Sequence, residues 1–191
     1  LYFGLHDKGW RCYYWLNLWK LCAHLLRPGQ NLIVVKYFTS KIKNPPDKRR
    51  RQYAYLRALQ MTPGIERFFG KYETSPYICE KCGHKVELAE EKMTDVQLAT
   101  QFVLDGLKDK FDIALLISGD RDLVPALEVV KQEKPNKRIV VAFPPMRSCD
   151  DLRYAAHAYI HVTESELKVS LLDDIVTDSV GNATVRPLEW F

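Results

Sequence analysis

The chain has 191 residues, 47% of them hydrophobic and 27% charged, with 9 Gly and 10 Pro. That balance excludes a disordered chain, a collagen-like fibre and a disulfide-framework miniprotein, and the length suffices for one domain with a real core. Its apolar runs, such as 113–117 and 139–143, fall far below the roughly 20 residues of a bilayer span, so no membrane partner is expected.

In chain order, residues 10–26 are rich in Leu, Trp and Tyr at helical spacing, with Trp10, Trp15 and Trp19 on one packed face, and Pro28-Gly29 stops the helix. The β-branched run 31–38 predicts a strand buried on both faces. Pro45-Pro46 breaks the chain, a helix comes next over 47–59, and 65–72 is the next strand. Residues 75–86 read as an inserted hairpin holding Cys79, Cys82 and His84. Thr94-Asp95-Val96-Gln97 has the form of a capping box opening a helix to about 110. A continuously apolar strand, 113–118, leads through Ser118-Gly119-Asp120 to a helix from 123, with Pro125 in its first turn. Residues 138–143 form another strand, a second capping box at Ser148–Asp151 opens a helix to about 158, and 159–162 closes the set. Beyond 170 the pattern fades into a polar tail ending at Trp190-Phe191. This alternation predicts an α/β domain over 1–169, with a mainly parallel sheet, helices on both faces, an insertion at about 73–90 and a C-terminal tail over 170–191 that packs on the domain or extends from it.

The net charge is only +4, but eight basic residues lie between 36 and 57 against one acid, Asp47. The cluster Lys48, Arg49, Arg50 and Arg51 suits a polyanion, and it equally suits a solvated helix start. Tyr37, Tyr53 and Tyr55 among them suit stacking on unpaired bases or burial in the core.

Ligands of an open parallel sheet sit beyond the carboxyl ends of its strands. Asp120 and Asp122 come directly after such an end, and Asp95 falls in the first turn of the preceding helix. Each has a plain structural reading, Asp95 as a helix-start charge and Asp122 as an N-cap, but only one cap is needed and Asp120 would be redundant. Three carboxylates at one strand edge would repel one another, which a divalent cation relieves; hard oxygen donors favour Mg²⁺ or Mn²⁺.

Lys92-Met-Thr94-Asp95-Val96, with Ile117-Ser118-Gly119-Asp120-Arg121-Asp122-Leu123-Val124-Pro125 after it, resembles the NYN domain of the PIN-like nuclease superfamily, also called LabA-like. The resemblance implies a three-layer PIN-like or Rossmann-like sandwich and a ribonuclease that uses Mg²⁺ or Mn²⁺ to hydrolyse RNA, single-stranded or structured. By motif, Asp95, Asp120 and Asp122 would be the catalytic, metal-binding acids, Ser118 would line their pocket, and Lys92 would approach a phosphate. Lys48, Arg49, Arg50 and Arg51 would hold the RNA backbone. The family pattern also opens with a central strand ending in an Asp-Gly-x-Asn type motif. Leu1-Tyr2-Phe3-Gly4 resembles the residues that come just after such a motif, so that strand and its Asp are expected upstream of Leu1 and hydrolase activity is expected to depend on them. Two alternatives stand beside this reading. One is a non-catalytic RNA-binding or interaction module on the same fold. The other is a small-molecule hydroxylase acting on a pyridine compound, a label that some similar sequences carry, although no dinucleotide fingerprint is present.

The cysteines number five, an odd count with no signal segment ahead of them, which fits a reducing, cytoplasmic setting. Cys79-x-x-Cys82-Gly83 has the turn of a zinc knuckle, but structural zinc takes four ligands. His84 with another residue, or a second chain in a homodimer, would complete the set; a reduced, metal-free hairpin is the plainer reading.

Overall fold

The computed structural model describes residues 1–191, apart from the side chains of 87–90. Parallel β1 (Val35–Ser40) and β2 (Ile65–Ile78) are joined by α3 (Pro46–Met61), and β2 turns back as antiparallel β3 (Lys85–Lys92). After α4 (Thr94–Leu107) come β4 (Ile113–Ile117), α5 (Val124–Glu133), β5 (Arg138–Phe143), α6 (Asp150–Ala155) and β6 (Ala158–His161), with the three strands parallel in that order. The α/β class and the parallel crossovers are those expected. The strands, however, form two three-stranded sheets rather than one, β1-β2-β3 and β4-β5-β6. Both β1 and β4 line a cleft of about 2120 Å³ that separates the halves.

This division explains the burial pattern. The middle strand β5 places Ile139, Val141 and Phe143 in a fully buried cluster with Leu127, Val130 and Leu152. Its neighbour β4 is half-buried, because its outer edge faces the cleft; Ile113 is 38% exposed. For the same reason β1, expected to be buried on both faces, is half-buried through most of its length. The hairpin is also longer than expected, since β2 runs on to Ile78.

At the N-terminus, α1 (Tyr2–Asp7) precedes a region where one helix was expected and two short elements form. A 3₁₀ turn spans Arg11–Tyr14, and α2 spans Leu18–His24. Asn17 divides them, because its side chain accepts the Lys20 N–H at 3.0 Å and caps α2. Trp15 at the break is wholly buried, so the three tryptophans do not share one helical face.

The tail folds back onto the domain. Thr163 and Glu166 form a reciprocal capping box that opens α7 (Glu164–Val169). An antiparallel pair comes next, β7 (Ile175–Thr177) and β8 (Ala183–Val185). The Trp15 indole N–H donates to the Asp173 carbonyl at 2.8 Å, and the Arg186 guanidinium donates to the carbonyls of Cys12 and Trp190. Trp190 is buried against Tyr14, Trp15 and Tyr55. Among the described residues no helix is long and apolar enough to cross a membrane.

Candidate active site

Asp120 is the last extended residue after β4, and this backbone position makes it the cap. Its Oδ1 accepts the Asp122 N–H at 3.0 Å, while its own N–H donates to Ser118 Oγ at 3.1 Å. The capping role expected of Asp122 therefore belongs to Asp120; Asp122 sits exposed inside the 3₁₀ turn Arg121–Leu123. Arg121 points to Asp151, with which it forms an ion pair. Gly119 lets the strand exit press on the loop before α6: a Cβ there would lie 3.0 Å from Arg147 Cβ.

The start of α4 is built differently from the expected capping box. Met93 takes a left-handed backbone, φ 75°, and is the N-cap, so Thr94 already lies in the first turn. Its hydroxyl donates to Glu91 Oε1 at 2.6 Å, which leaves Ser40 Oγ to donate to Thr94 Oγ1 at 3.0 Å. The Gln97 amide donates to the Phe69 carbonyl at 3.2 Å. Gly70, the register partner of Ser40, makes this approach feasible. A Cβ on Gly70 would fall 2.3 Å from Thr94 Oγ1, 2.5 Å from Ser40 Oγ and 2.7 Å from the Lys92 carbonyl oxygen. The second capping box expected, at Ser148–Asp151, is likewise absent, and α6 begins at Asp150 without a side-chain cap.

These junctions bring the acids of two elements within one field. Burial raises the affinity of Asp95 for its proton above the ordinary aspartate value, and the charges of Asp120, Glu91 and Asp122 raise it further. Sequence reasoning missed Glu91 and Ser40. The signal for Glu91 was an acid three residues before a threonine at a helix start; Ser40, at the end of an apolar strand, carried none. Asp95, Asp120, Glu91 and Ser118 line the cleft together with Lys48 and Arg51. Lys92 lies exposed at the end of β3.

The basic cluster divides in two. Lys48 and Arg49 are exposed in the first turns of α3. Arg50 and Arg51 both donate to Glu189 Oε1 at 3.1 Å, so the tail already occupies half of the expected phosphate-binding set. Of the nearby tyrosines, Tyr55 is in the core with its hydroxyl on the Leu16 carbonyl, Tyr37 is half-buried, and Tyr53 is 67% exposed.

Among the described residues, no three Asp, Glu, His or Cys side chains gather closely enough to hold a metal ion by themselves. Carboxylate oxygens are nevertheless the donors Mg²⁺ uses, and this ion is commonly held by one or two carboxylates, waters and substrate phosphates. The donor chemistry fits such an ion; a closed protein cage is not what these residues form.

The family model described as NYN domain matches residues 12–167. Over 107 residues, 53% of the chain, the sequence is 27% identical to the 6-hydroxy-3-succinoylpyridine 3-monooxygenase HspA of Pseudomonas putida (strain DSM 28022 / S16). The match covers 33% of that protein, so the chain spans about a third of the length of this curated relative. Among solved structures, a protein of unknown function from Vibrio parahaemolyticus RIMD 2210633 superposes with a TM-score of 0.51 over 81% of each chain, at 19% identity, a likeness of fold.

Proposed function

The chain belongs to the NYN domain family, whose fold is nuclease-like, and from that premise we propose that it is a divalent-metal-dependent ribonuclease acting through Asp95, Asp120 and Asp122, with Glu91 beside them. The observation that supports the reading is that Asp95 and Asp120, from different elements, line one cleft together with Glu91, Lys48 and Arg51, while the charges of Asp120, Glu91 and Asp122 raise the proton affinity of Asp95. A nuclease requires this juxtaposition of crowded acids and a basic wall, because the acids select a cation and the basic residues select the phosphate chain.

Asp95, Asp120 and Asp122 would hold Mg²⁺ or Mn²⁺, which when bound supplies positive charge to the phosphoryl oxygens and acidifies a water. Asp120 is fixed by its own capping bond, so its second oxygen is oriented without further ordering. Asp95 would hold the cation from the α4 side, and a bound cation would relieve the repulsion that Asp120, Glu91 and Asp122 exert on its carboxylate. Lys48 and Arg49 hold the RNA backbone without reading sequence, Tyr53 offers a face for a base, and Lys92 and Ser118 approach the phosphate from the site's own rim.

Cleavage of end-labelled single-stranded RNA, with Mn²⁺ and with EDTA, tests the proposal. Asn at position 120 keeps the oxygen that caps the turn while removing the charge. Asp120→Asn therefore folds, and it loses about 100-fold or more of the Mn²⁺-dependent rate. Cleavage that survives EDTA, or an Asp120→Asn variant as active as the parent, contradicts the assignment. RNA binding without cleavage by the protein carried with its upstream sequence makes it a binding module on a nuclease fold.

A further inference from the structure

The tip of the β2–β3 hairpin carries chemistry that the cleft does not use. Between Ile78 and Lys85 the chain makes a tight turn in which Cys79 N–H donates to the His84 carbonyl at 2.9 Å and Gly83 N–H donates to the Cys79 carbonyl at 2.8 Å. Gly83 supplies the required left-handed residue, φ 69°. Cys79 and Cys82 thus flank a tight turn with the C-x-x-C-G spacing and the bend of a zinc knuckle.

We propose that Cys79 and Cys82 are half of a zinc site, and that the same pair from a second copy of this chain completes it, giving one Zn²⁺ on four thiolates per two chains. Among the described residues, no third Cys, His, Asp or Glu joins the pair, His84 included, although structural zinc is almost always four-coordinate. Two ligands presented at an exposed tip are closed most simply by a two-fold axis through the metal, which requires nothing the chain lacks. The surroundings suit that axis. Tyr77, Ile78 and Val86 flank the knuckle and are 50%, 52% and 41% exposed, an apolar collar that a second tip would cover. A zinc ion with four thiolates carries excess negative charge, and Lys81 and Lys85, present twice, stand next to it to offset this. The cleft and its acids take no part, so this inference is independent of the ribonuclease reading.

The experiment uses the whole chain, reduced and freed of metal, titrated with Co²⁺ and monitored by absorption and analytical ultracentrifugation. Thiolate-to-cobalt charge-transfer and tetrahedral d–d bands should saturate at one Co²⁺ per two chains, as the monomer converts to a dimer. Zn²⁺ should bleach the bands while keeping the dimer, and a chelator should return the monomer. Cys79→Ser and Cys82→Ser should abolish both signals with unchanged far-ultraviolet circular dichroism, whereas Cys149→Ser should retain them. One metal per chain in a monomer, a dimer that forms without metal, no thiolate band, or a Cys79–Cys82 disulfide that persists under a thiol reductant would each overturn the proposal.

Discussion

A carboxylate in the first turn of a helix ordinarily gains from the partial positive charge of the helix end, yet Asp95, in that position on α4, holds its proton more tightly than a free aspartate. Burial and the charges of Asp120, Glu91 and Asp122 outweigh the helix. The folded chain thus binds this proton better than the unfolded chain does, and folding loses stability as pH rises from the ordinary aspartate value through the raised one of Asp95. Asp95→Asn removes the unfavourable charge. It should raise the melting temperature near neutral pH, by a stability increment below about 1 kcal/mol because solvent still screens this only partly buried group. The advantage should vanish below the ordinary aspartate range, where both states of the parent are protonated. Thermal unfolding of parent and variant across pH measures this; an Asp95→Asn variant that is less stable at neutral pH would show that the carboxylate is held by attraction.

The three-residue approach between β2, β1 and α4 rests on Gly70, where no side chain intervenes between Ser40, Thr94 and the Lys92 carbonyl. Gly70→Ala forces these groups apart and should cost about 1–3 kcal/mol by overpacking, and because Lys92–Asp95 must shift, it should lower the cleavage rate as well. Chemical denaturation and the RNA assay check the two effects; an unaltered midpoint would mean that the junction is loose. This junction also marks the limit of what could be read from sequence. The alternating elements, the apolar strand at 113–117 and the acids just beyond it were legible, because hydrophobic period and turn chemistry are local. The Thr94–Gln97 capping box read from the sequence does not form, since Thr94 gives its hydroxyl proton to Glu91 and the Gln97 amide donates to the Phe69 carbonyl of β2. Tertiary partners of this kind leave no periodic trace. For a related reason the sequence left open whether the tail packs on the domain or extends from it: Trp190 and Arg186 act as single anchors, and only their contacts with Trp15 and the Cys12 carbonyl show the tail docked.

At the scale of the whole molecule one cleft is lined by charges of both signs, Glu91, Asp95 and Asp120 among the acids and Lys48 and Arg51 among the bases. Lys48 stands outside the Glu189 pairing that engages Arg50 and Arg51. On the ribonuclease reading, Lys48→Ala should reduce the slope of log affinity against log salt for single-stranded RNA by about 0.7. Glu189→Gln, which releases two arginines, should tighten binding at low salt; filter-binding titrations at several salt concentrations measure both, and a salt-independent affinity would contradict the basic wall. On the same reading, catalysis at the cleft would depend most on the acids of α4 and of the β4 exit acting as one cation site. The direct measurement is Mn²⁺ binding, monitored by loss of the free-ion electron paramagnetic resonance signal, in the parent, Asp95→Asn, Asp120→Asn and the double variant. If the site is shared, each single substitution weakens binding and the double variant loses little more than either alone, since coupled residues are not additive. Binding that is unchanged by both single substitutions, or no binding by the parent, would contradict a shared cation site.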